Sequence, residues 1–553
     1  MPLSTIQTAP RLGNQFHDDW LLQGWLRCRV PDEMLQEHIS ALETLGAEAG
    51  DRLYRMQLAD RENEPRLTQW NAWGERIDHI GLTSVWQHAQ QLAAELGLIA
   101  TGYDRTLGEH ARSLQFARAW LFIPSTDFYG CPLAMTDGAA RVLTNAGNEA
   151  LAQRALPHLL SRDPAKFWTS GQWMTETIGG SDVSQTETIA RQDENGQWRL
   201  YGRKWFTSAA TSEMALTLAR PDGQPTGSRG LALFYLEPRD TQGRLQQIEV
   251  LRLKDKLGTR KLPTAELWLN GAPAEPVAGL ERGVAQIAPM LNITRSWNAI
   301  TACTLMRRGL ALATDYAHRR KAFGHTLIDL PLHRRTLTDL HADWAAASAA
   351  TLDMIALLGQ VEQRDEPDQA RLLRLLTPVI KLGSARDAIA ILSEVLESFG
   401  GAGYIEDTGL PQLLRDAQVL SIWEGTTNIL ALDLLRAMDR VGLESWLATQ
   451  RQALDEIRDE ALIAIVERIR PLLQQLVNQF ELDELCKIRN ARALALNLYR
   501  LTALTSLTRL ADQAQRRCNG ATAVKLKAVA LHFATVRMRL EPIERHIVDQ
   551  ALF

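Results

Sequence analysis

Along the 553-residue chain the spacing of apolar positions changes character twice. Between about residues 33 and 160, apolar side chains recur at three- and four-residue intervals, as in MLQEHISALETLGAEAGDRLYRM and VWQHAQQLAAELGLIATGY, which predicts amphipathic helices; strand signals are scarce there. Near Phe167 the period shortens to two. ETIARQDENGQWRLYGRKWFTSAA holds two alternating runs around Asn195-Gly196, a dipeptide suited to positive φ at both centres of a tight hairpin turn. LALFYLEP, LQQIEVLRL and AELWLNG carry the strand pattern to about residue 280. From about Gly283 to Met438 the helical period returns in long runs with few prolines, which predicts a bundle. Residues 441 to 553 are helical again, with breaks expected at Pro471 and at Asn519-Gly520, and no repeat of solenoid period is present. The chain therefore reads as α+β, mostly α: an N-terminal helical domain at 1–160, a middle antiparallel β domain at 161–280, a helical bundle at 281–440 and an extra helical domain at 441–553.

Composition narrows this little. With 45% apolar residues and 61 Lys plus Arg against 65 Asp plus Glu, the chain is neither disordered nor collagen-like. No run of eighteen uninterrupted apolar residues occurs, and the amino terminus lacks the basic and apolar regions of a signal peptide, so a soluble cytoplasmic protein without membrane contact is expected. Five cysteines (Cys28, Cys131, Cys303, Cys486, Cys518) lie far apart with no CxxC, which indicates neither a zinc site nor a disulfide framework and fits a reducing compartment. Charge changes the picture more. The net charge is −4, but residues 441–553 hold sixteen Lys plus Arg against thirteen Asp plus Glu, which leaves the preceding body at −7. Within that tail, residues 487–540 carry eleven basic residues and one acid, Asp512.

Three segments could carry chemistry. MTETIGGSD, residues 174–182, offers Gly179 and Gly180, whose backbone N–H groups can approach a phosphate, beside the hydroxyls of Thr175 and Ser181. Alone it is a weak signal, since such a stretch is most often an ordinary loop, and neither GxGxxG before a helix nor GxxxxGK[ST] is present. Lys204-Trp205-Phe206-Thr207 supplies a large ring and a hydroxyl that could cover a planar cofactor, or a tryptophan in the sheet core. In residues 397–430, Gly400, Gly401 and Gly403 break a helix, and Arg415-Asp416 resumes one that runs into Ile422-Trp423-Glu424-Gly425-Thr426. A carboxylate wedged between Trp423 and a glycine should lose solvation, which raises its pKa toward that of a proton acceptor at neutral pH; the plainer reading is a solvated glutamate at a helix end.

Taken in order, MTETIGGSD, GRKWFTSA, KLGTRKLPTAELW, YAHRRKAFG, GGAGY and RDAQVLSIWEGTTNI resemble the acyl-CoA dehydrogenase superfamily of flavoproteins, whose α, β, α order matches the one read above. NEPRLTQWNAWGERIDHI, CPLAMT, RLKDKLG, the Trp before Glu424 and the extra C-terminal helices resemble its AidB-like branch, associated with the response to DNA alkylation. The resemblance implies FAD. Gln172, Trp173, Met174 and Thr175 with Gly179, Gly180 and Ser181 match the β-domain flavin segment, Thr175 at the isoalloxazine edge and Ser181 at the pyrophosphate. Trp205, Phe206 and Thr207 match the segment against the ring, with Thr207 near N5. Arg320 and Phe323 match a pair that reaches the adenine end of FAD across a subunit boundary, which implies a homodimer or homotetramer; Gly400 and Gly401 of GGAGY join the cofactor set. Ile422, Gly425, Thr426 and Asn428 belong to the segment that closes over the flavin, with Glu424 as the base that takes a proton from the carbon α to a thioester while the β-carbon gives hydride to flavin N5. Electrons would leave to an electron-transferring flavoprotein or to O2. No metal is implied.

The chain departs from the family at several positions. Glu397 and Pro331 stand where many members have FAD-contacting glutamines, and Thr294 precedes Arg295 where some members carry an alternative base. Trp423 replaces the common Tyr and should crowd the acyl pocket, which favours a short or branched acyl-CoA. A second function follows from the tail: Arg489, Arg492, Arg500, Arg509, Arg516, Arg517, Lys525 and Lys527 are the candidates for binding double-stranded DNA, as in AidB-like proteins, with a weak or vestigial dehydrogenase activity. Those cations could instead pair with acids of the −7 body or line a tetramer interface. An oxidase or monooxygenase on the same scaffold is the third reading.

Overall fold

The computed structural model describes residues 8–518 and 520–543. The chain forms two compact units: one from Met1–Tyr54, Arg105–Pro124 and Asn298–Phe553, the other from Arg55–Asp104 and Ser125–Trp297. Residues 1–160 are thus divided between the two, and the helices beyond 441 belong to the same unit as the bundle.

The second unit is built on strands β1 (Arg66–Trp70), β2 (Arg76–Gly81), β3 (Ser170–Trp173), β4 (Ile189–Gln192), β5 (Trp198–Ser208), β6 (Met214–Pro221), β7 (Ala232–Leu236), β8 (Ile248–Leu253) and β9 (Thr264–Pro276). The last seven form one sheet in the order β3-β6-β4-β5-β9-β7, and β7 returns to β6, so five of them close on themselves; β8 hangs on β9. Most pairings are antiparallel, but β3 and β4 both run parallel to β6, because loops rather than hairpins bring them beside it. Leu200, Phe234, Leu267 and Leu269 fill the interior. The Asn195-Gly196 turn is present in a different form from the one expected. Only Gly196 has positive φ, at 75°. Asp193 and Gln197 close the turn, and the Asp193 carboxylate accepts from the N–H groups of Asn195 and Gln197, both at 3.0 Å, which makes the loop longer than a two-residue turn. The β1–β2 hairpin lies where helical spacing dominates the surrounding sequence. Its strands are short and half-exposed, so they leave little period-two signal.

The first unit is helical. Its long helices are Gly283–Arg319 from Asn298 onward, Pro331–Gln363 and Pro367–Ser398, followed by Leu410–Leu420 and Thr427–Val441. Pro331–Gln363 contains a stretch apolar and long enough by composition to cross a membrane, yet 78% of that stretch is buried inside the protein. Its run of alanines with Trp344 and Leu352 makes it the core of the bundle. Beyond residue 441 come Glu444–Asp455, Glu460–Phe480, Glu484–Arg489, Ala491–Arg517 and Gly520–Arg537. Pro471 does not break its helix, contrary to expectation: it lies on the exposed side of Glu460–Phe480, whose buried stripe of Leu462, Ile465, Val466, Ile469, Leu473 and Leu476 outweighs one missing N–H donor. The break expected at Asn519-Gly520 is seen from its two sides, with extended Cys518 ending one helix and Gly520 beginning the next; Asn519 itself lies outside the described residues.

Candidate active site

In the β unit the two cofactor segments come together. Trp205 donates its backbone N–H to the carbonyl of Thr175 at 2.9 Å, which ties the end of β3 to β5. Residues 176 and 179 are joined by backbone hydrogen bonds in both directions, so Thr177 and Ile178 form a tight turn that presents Gly179, Gly180 and Ser181. Gly180 packs on Thr175: a Cβ there would come within 2.9 Å of Thr175 Cγ2. Beneath the turn, Glu176 is buried against Lys204 at 2.7 Å, with further hydrogen bonds from Thr188 Oγ1 at 2.5 Å and Glu187 N–H at 2.6 Å. Burial opposes ionisation of Glu176, but Lys204 and these donors outweigh it and hold the carboxyl below its ordinary range. Lys204 Nζ also donates to the Leu218 carbonyl at 2.9 Å.

A bulge in β5 decides what this strand shows. Lys204 pairs with Leu267, but Thr207 pairs with Ala265, so three steps on β5 match two on β9. Without the extra residue, Lys204 and Thr207 would point to opposite faces; with it both are buried and Phe206 is exposed. Trp205 lies under Lys254, whose Nζ is 3.2 Å from its ring centroid. Among the buried polar atoms with no protein hydrogen-bond partner are Gln172 Oε1 and Thr207 Oγ1; Trp173 Nε1 is another, but Trp173 packs in the interior cluster with Leu200 and Phe234, on the opposite face of the strand from Gln172. Orphaned buried polar atoms are rare in folded chains, and those of Gln172 and Thr207 fit a group with ring nitrogens and carbonyls such as a flavin.

In the helical unit, Leu410–Leu420 ends before Ile422, and residues 421–426 form a loop that precedes the next helix. Glu424 is therefore a loop residue, with φ of 57°, followed by Gly425 at 102°. Two buried side chains hold the loop. Lys381, fully buried in Pro367–Ser398, donates to the carbonyls of Trp423 and Gly425 at 2.6 and 2.7 Å. Asn298, in the amide orientation that satisfies both its ends, donates to the Leu420 carbonyl at 3.3 Å and accepts from the indole Nε1 of Trp423 at 2.8 Å. Neither was singled out from the sequence, although a lysine inside the apolar run TPVIKLGSA is a visible anomaly. Thr426 caps the helix that contains Asn428, and Ile422 is 58% exposed.

Arg320 and Phe323 occupy a two-stranded hairpin at the end of Gly283–Arg319, where Phe323 has φ of 52° and is 92% exposed. Gly400 and Gly401 open the turn after Ser398, Gly400 with φ of 61°, and the Tyr316 and Phe399 rings pack at a tilt with centroids 4.7 Å apart, which brings this turn and the hairpin to one end of the bundle.

The basic tail is largely committed to acids. Arg509 pairs with Asp353 at 2.7 Å, Arg517 with Asp32 at 3.3 Å and Arg537 with Asp343 at 2.7 Å, all in the body; Arg500, Arg516 and Lys527 pair with Glu541, Asp512 and Asp459 of the tail. Asp353 also accepts from Trp25 and Arg29. Burial resists its ionisation, but Arg29 and Arg509 pull its pKa to about 2. Among the described residues Arg489, Arg492 and Lys525 have no acidic partner.

Comparison with known proteins places the chain in a family. Residues 281–439 match the acyl-CoA dehydrogenase C-terminal domain, residues 171–272 its middle domain, and residues 8–164 the N-terminal domain of the adaptive response protein AidB. Acyl-CoA dehydrogenase family member 11 of Caenorhabditis elegans is 43% identical over 85% of this chain and 78% of its own. AidB of Escherichia coli (strain K12) is 30% identical over 75% of this chain and 77% of its own. The crystal structure of C. elegans ACDH-11 in complex with C11-CoA superposes with a TM-score of 0.93 at 38% identity, covering 98% of this chain and 94% of that one. The chain belongs to the acyl-CoA dehydrogenase family, in its AidB-like branch.

Proposed function

We propose that this protein removes hydrogen from the α and β carbons of a short or branched acyl-CoA thioester, with Glu424 as the base. FAD is the cofactor. The observation that carries the assignment of Glu424 is its left-handed backbone, pinned on both sides by Lys381. A non-glycine residue in that region costs about 1–3 kcal/mol and persists only where its surroundings over-determine it. The cost is met here by two hydrogen bonds from a buried cation and one from an indole. The backbone that carries the carboxylate is thereby fixed before substrate arrives, so less ordering is left for the moment of proton transfer. Gln172 and Thr207 would offer their unpaired polar atoms to the flavin ring, and Ser181 with the Gly179–Gly180 turn would hold the pyrophosphate. When bound, the flavin supplies the acceptor for the β-hydride and passes the electrons to an electron-transferring flavoprotein or O2. Arg320 and the exposed Phe323 support a second subunit that completes the adenine end.

Substrate size is tested by anaerobic flavin bleaching with butyryl-, isovaleryl-, undecanoyl- and palmitoyl-CoA. Trp423 is tethered at its indole nitrogen and cannot swing freely from the loop, so butyryl- and isovaleryl-CoA are expected to bleach the flavin and palmitoyl-CoA to do so poorly. The undecanoyl arm is set by the ligand of the C. elegans structure. Efficient palmitoyl-CoA oxidation would refute the size limit, and absence of bleaching by every thioester would refute the dehydrogenase reading itself.

A second reading, binding of double-stranded DNA, is favoured by Arg489, Arg492 and Lys525, which have no acidic partner among the described residues. Three phosphate contacts would release counterions with a slope of log K against log salt of about −3. A salt titration on random duplex DNA, repeated with the three positions changed to alanine, checks it; no binding at low salt removes the reading.

A further inference from the structure

The five cysteines are far apart in sequence, yet the fold brings two together. Cys28 ends the last turn of the Trp20–Arg29 helix, and Cys518 is the cap of Ala491–Arg517, nearly five hundred residues later. Cys518 Sγ lies 3.8 Å from the carbonyl of Gly24, one helical turn before Cys28, which sets the two thiols side by side. The helix surface at Gly24 is close-packed: a Cβ there would come within 2.8 Å of Leu526 Cδ1 and 3.1 Å of Thr522 Cγ2, so those side chains would have to shift, and it would touch Cys518 Sγ at 3.9 Å. Both cysteines are half-buried, with a path to solvent, whereas Cys303 is fully buried.

The charges around the pair are cationic. Arg27 and Arg517 both favour the Cys518 thiolate, while Arg29 is turned to Asp353 and Gln513, and Arg517 reaches Asp32 at 3.3 Å. The neighbouring Cys28 thiol, with these arginines, brings the Cys518 thiol down to about 7, against the opposing effect of burial. Cys28 is pushed up by Cys518 beside it and by burial. Arg27 and Arg517 thus favour the thiolate at Cys518, beside a second thiol.

We propose that Cys28 and Cys518 form a peroxide-reactive dithiol that closes to a disulfide between the first helix and the C-terminal helices. The Cys518 thiolate attacks one oxygen of a hydroperoxide: an S–O bond forms, the O–O bond breaks, and the departing oxygen leaves as an alcohol or water after taking a proton. Cys28 then attacks the Cys518 sulfur, forming the S–S bond and expelling water. In sum two thiols and one hydroperoxide yield one disulfide, one alcohol or water and one water, the sulfurs losing the two electrons that the peroxide gains. This chemistry uses neither Glu424 nor the flavin segments.

The test treats the reduced full-length holoprotein with one equivalent of hydrogen peroxide and maps its peptides without reductant. The expected result is loss of two of the five titratable thiols and a peptide linking positions 28 and 518. Cys28→Ser is expected to accumulate a sulfenic acid at Cys518, trapped by dimedone, and Cys518→Ser to lose no thiol under the same dose. Retention of all five thiols in the parent, or a disulfide joining any other pair, overturns the proposal. Because the parent alone yields the decisive peptide map, the result does not depend on either variant folding. A dimedone adduct on Cys28 instead of Cys518 would overturn the assignment of the attacking thiol.

Discussion

A Glu424→Gln variant is expected to turn over butyryl-CoA about a hundred- to ten-thousandfold more slowly than the parent, the usual contribution of a positioned general base. Its flavin spectrum and thermal unfolding should be unchanged. The physical reason lies in what holds the loop. Lys381 binds the carbonyls of residues 423 and 425, and Asn298 binds the neighbouring Trp423, so both anchors survive a change at the side chain of 424. Glutamine has nearly the same shape and tolerates the same backbone, but it cannot accept a proton from the α carbon. Stopped-flow measurement of flavin reduction, beside a static spectrum, separates the two readouts. Parent-like reduction in a variant that binds FAD normally would show that another group takes the proton.

The second large effect is on stability and cofactor binding together. Lys204→Met is expected to destabilise the β unit by about 3–5 kcal/mol, the range found when one member of a buried ion pair is removed. Glu176 would be left buried with no cation, and it forms the floor of the Gly179–Gly180 turn. Flavin affinity should fall with it. Adding Glu176→Gln to Lys204→Met should recover much of the loss, because a neutral amide can still accept from Thr188 and Glu187 without an unpaired charge. Urea unfolding and flavin titration of the parent, both singles and the double variant form the cycle. Additive losses in the double variant would mean the pair contributes nothing as a pair. The same linkage acts through pH. The Glu176 carboxyl is held below its ordinary value of 4.5, so its stabilisation is fully present above that value and is lost as pH falls through the depressed folded value.

Much of this was legible in the chain. The shifts from helical to alternating spacing near Phe167 and back near Gly283 mark real changes of architecture, because each period follows from the geometry of one element. The motif segments likewise lie in the expected elements: Gln172 at the end of a strand, Trp205 in the next long one, Glu424 just past a helix. What the spacing did not reveal depends on contacts distant in sequence. The bulge that buries both Lys204 and Thr207 exists only in the pairing of β5 with β9. The left-handed turn at Glu424 is stabilised by a lysine more than forty residues earlier. The β1–β2 hairpin escapes the periodicity because eleven half-exposed residues in two short strands cannot outvote the helices around them.

The basic tail shows the same division. Its composition established a concentration of positive charge and left open whether that charge faces solvent or acid, since both arrangements have the same sequence. Packing decided it: Arg509 is drawn to the buried Asp353, which Arg29 and Trp25 also bind, and only Arg489, Arg492 and Lys525 among the candidates keep their charge uncompensated within the described residues. By itself the sequence determined the order of the parts, the family motifs and where the charge is stored. The tertiary structure alone decided which lysine fixes the backbone at the glutamate, which arginines remain available and which two of five cysteines meet, because a periodic pattern records a residue's face on its own element and not the partner that element will find.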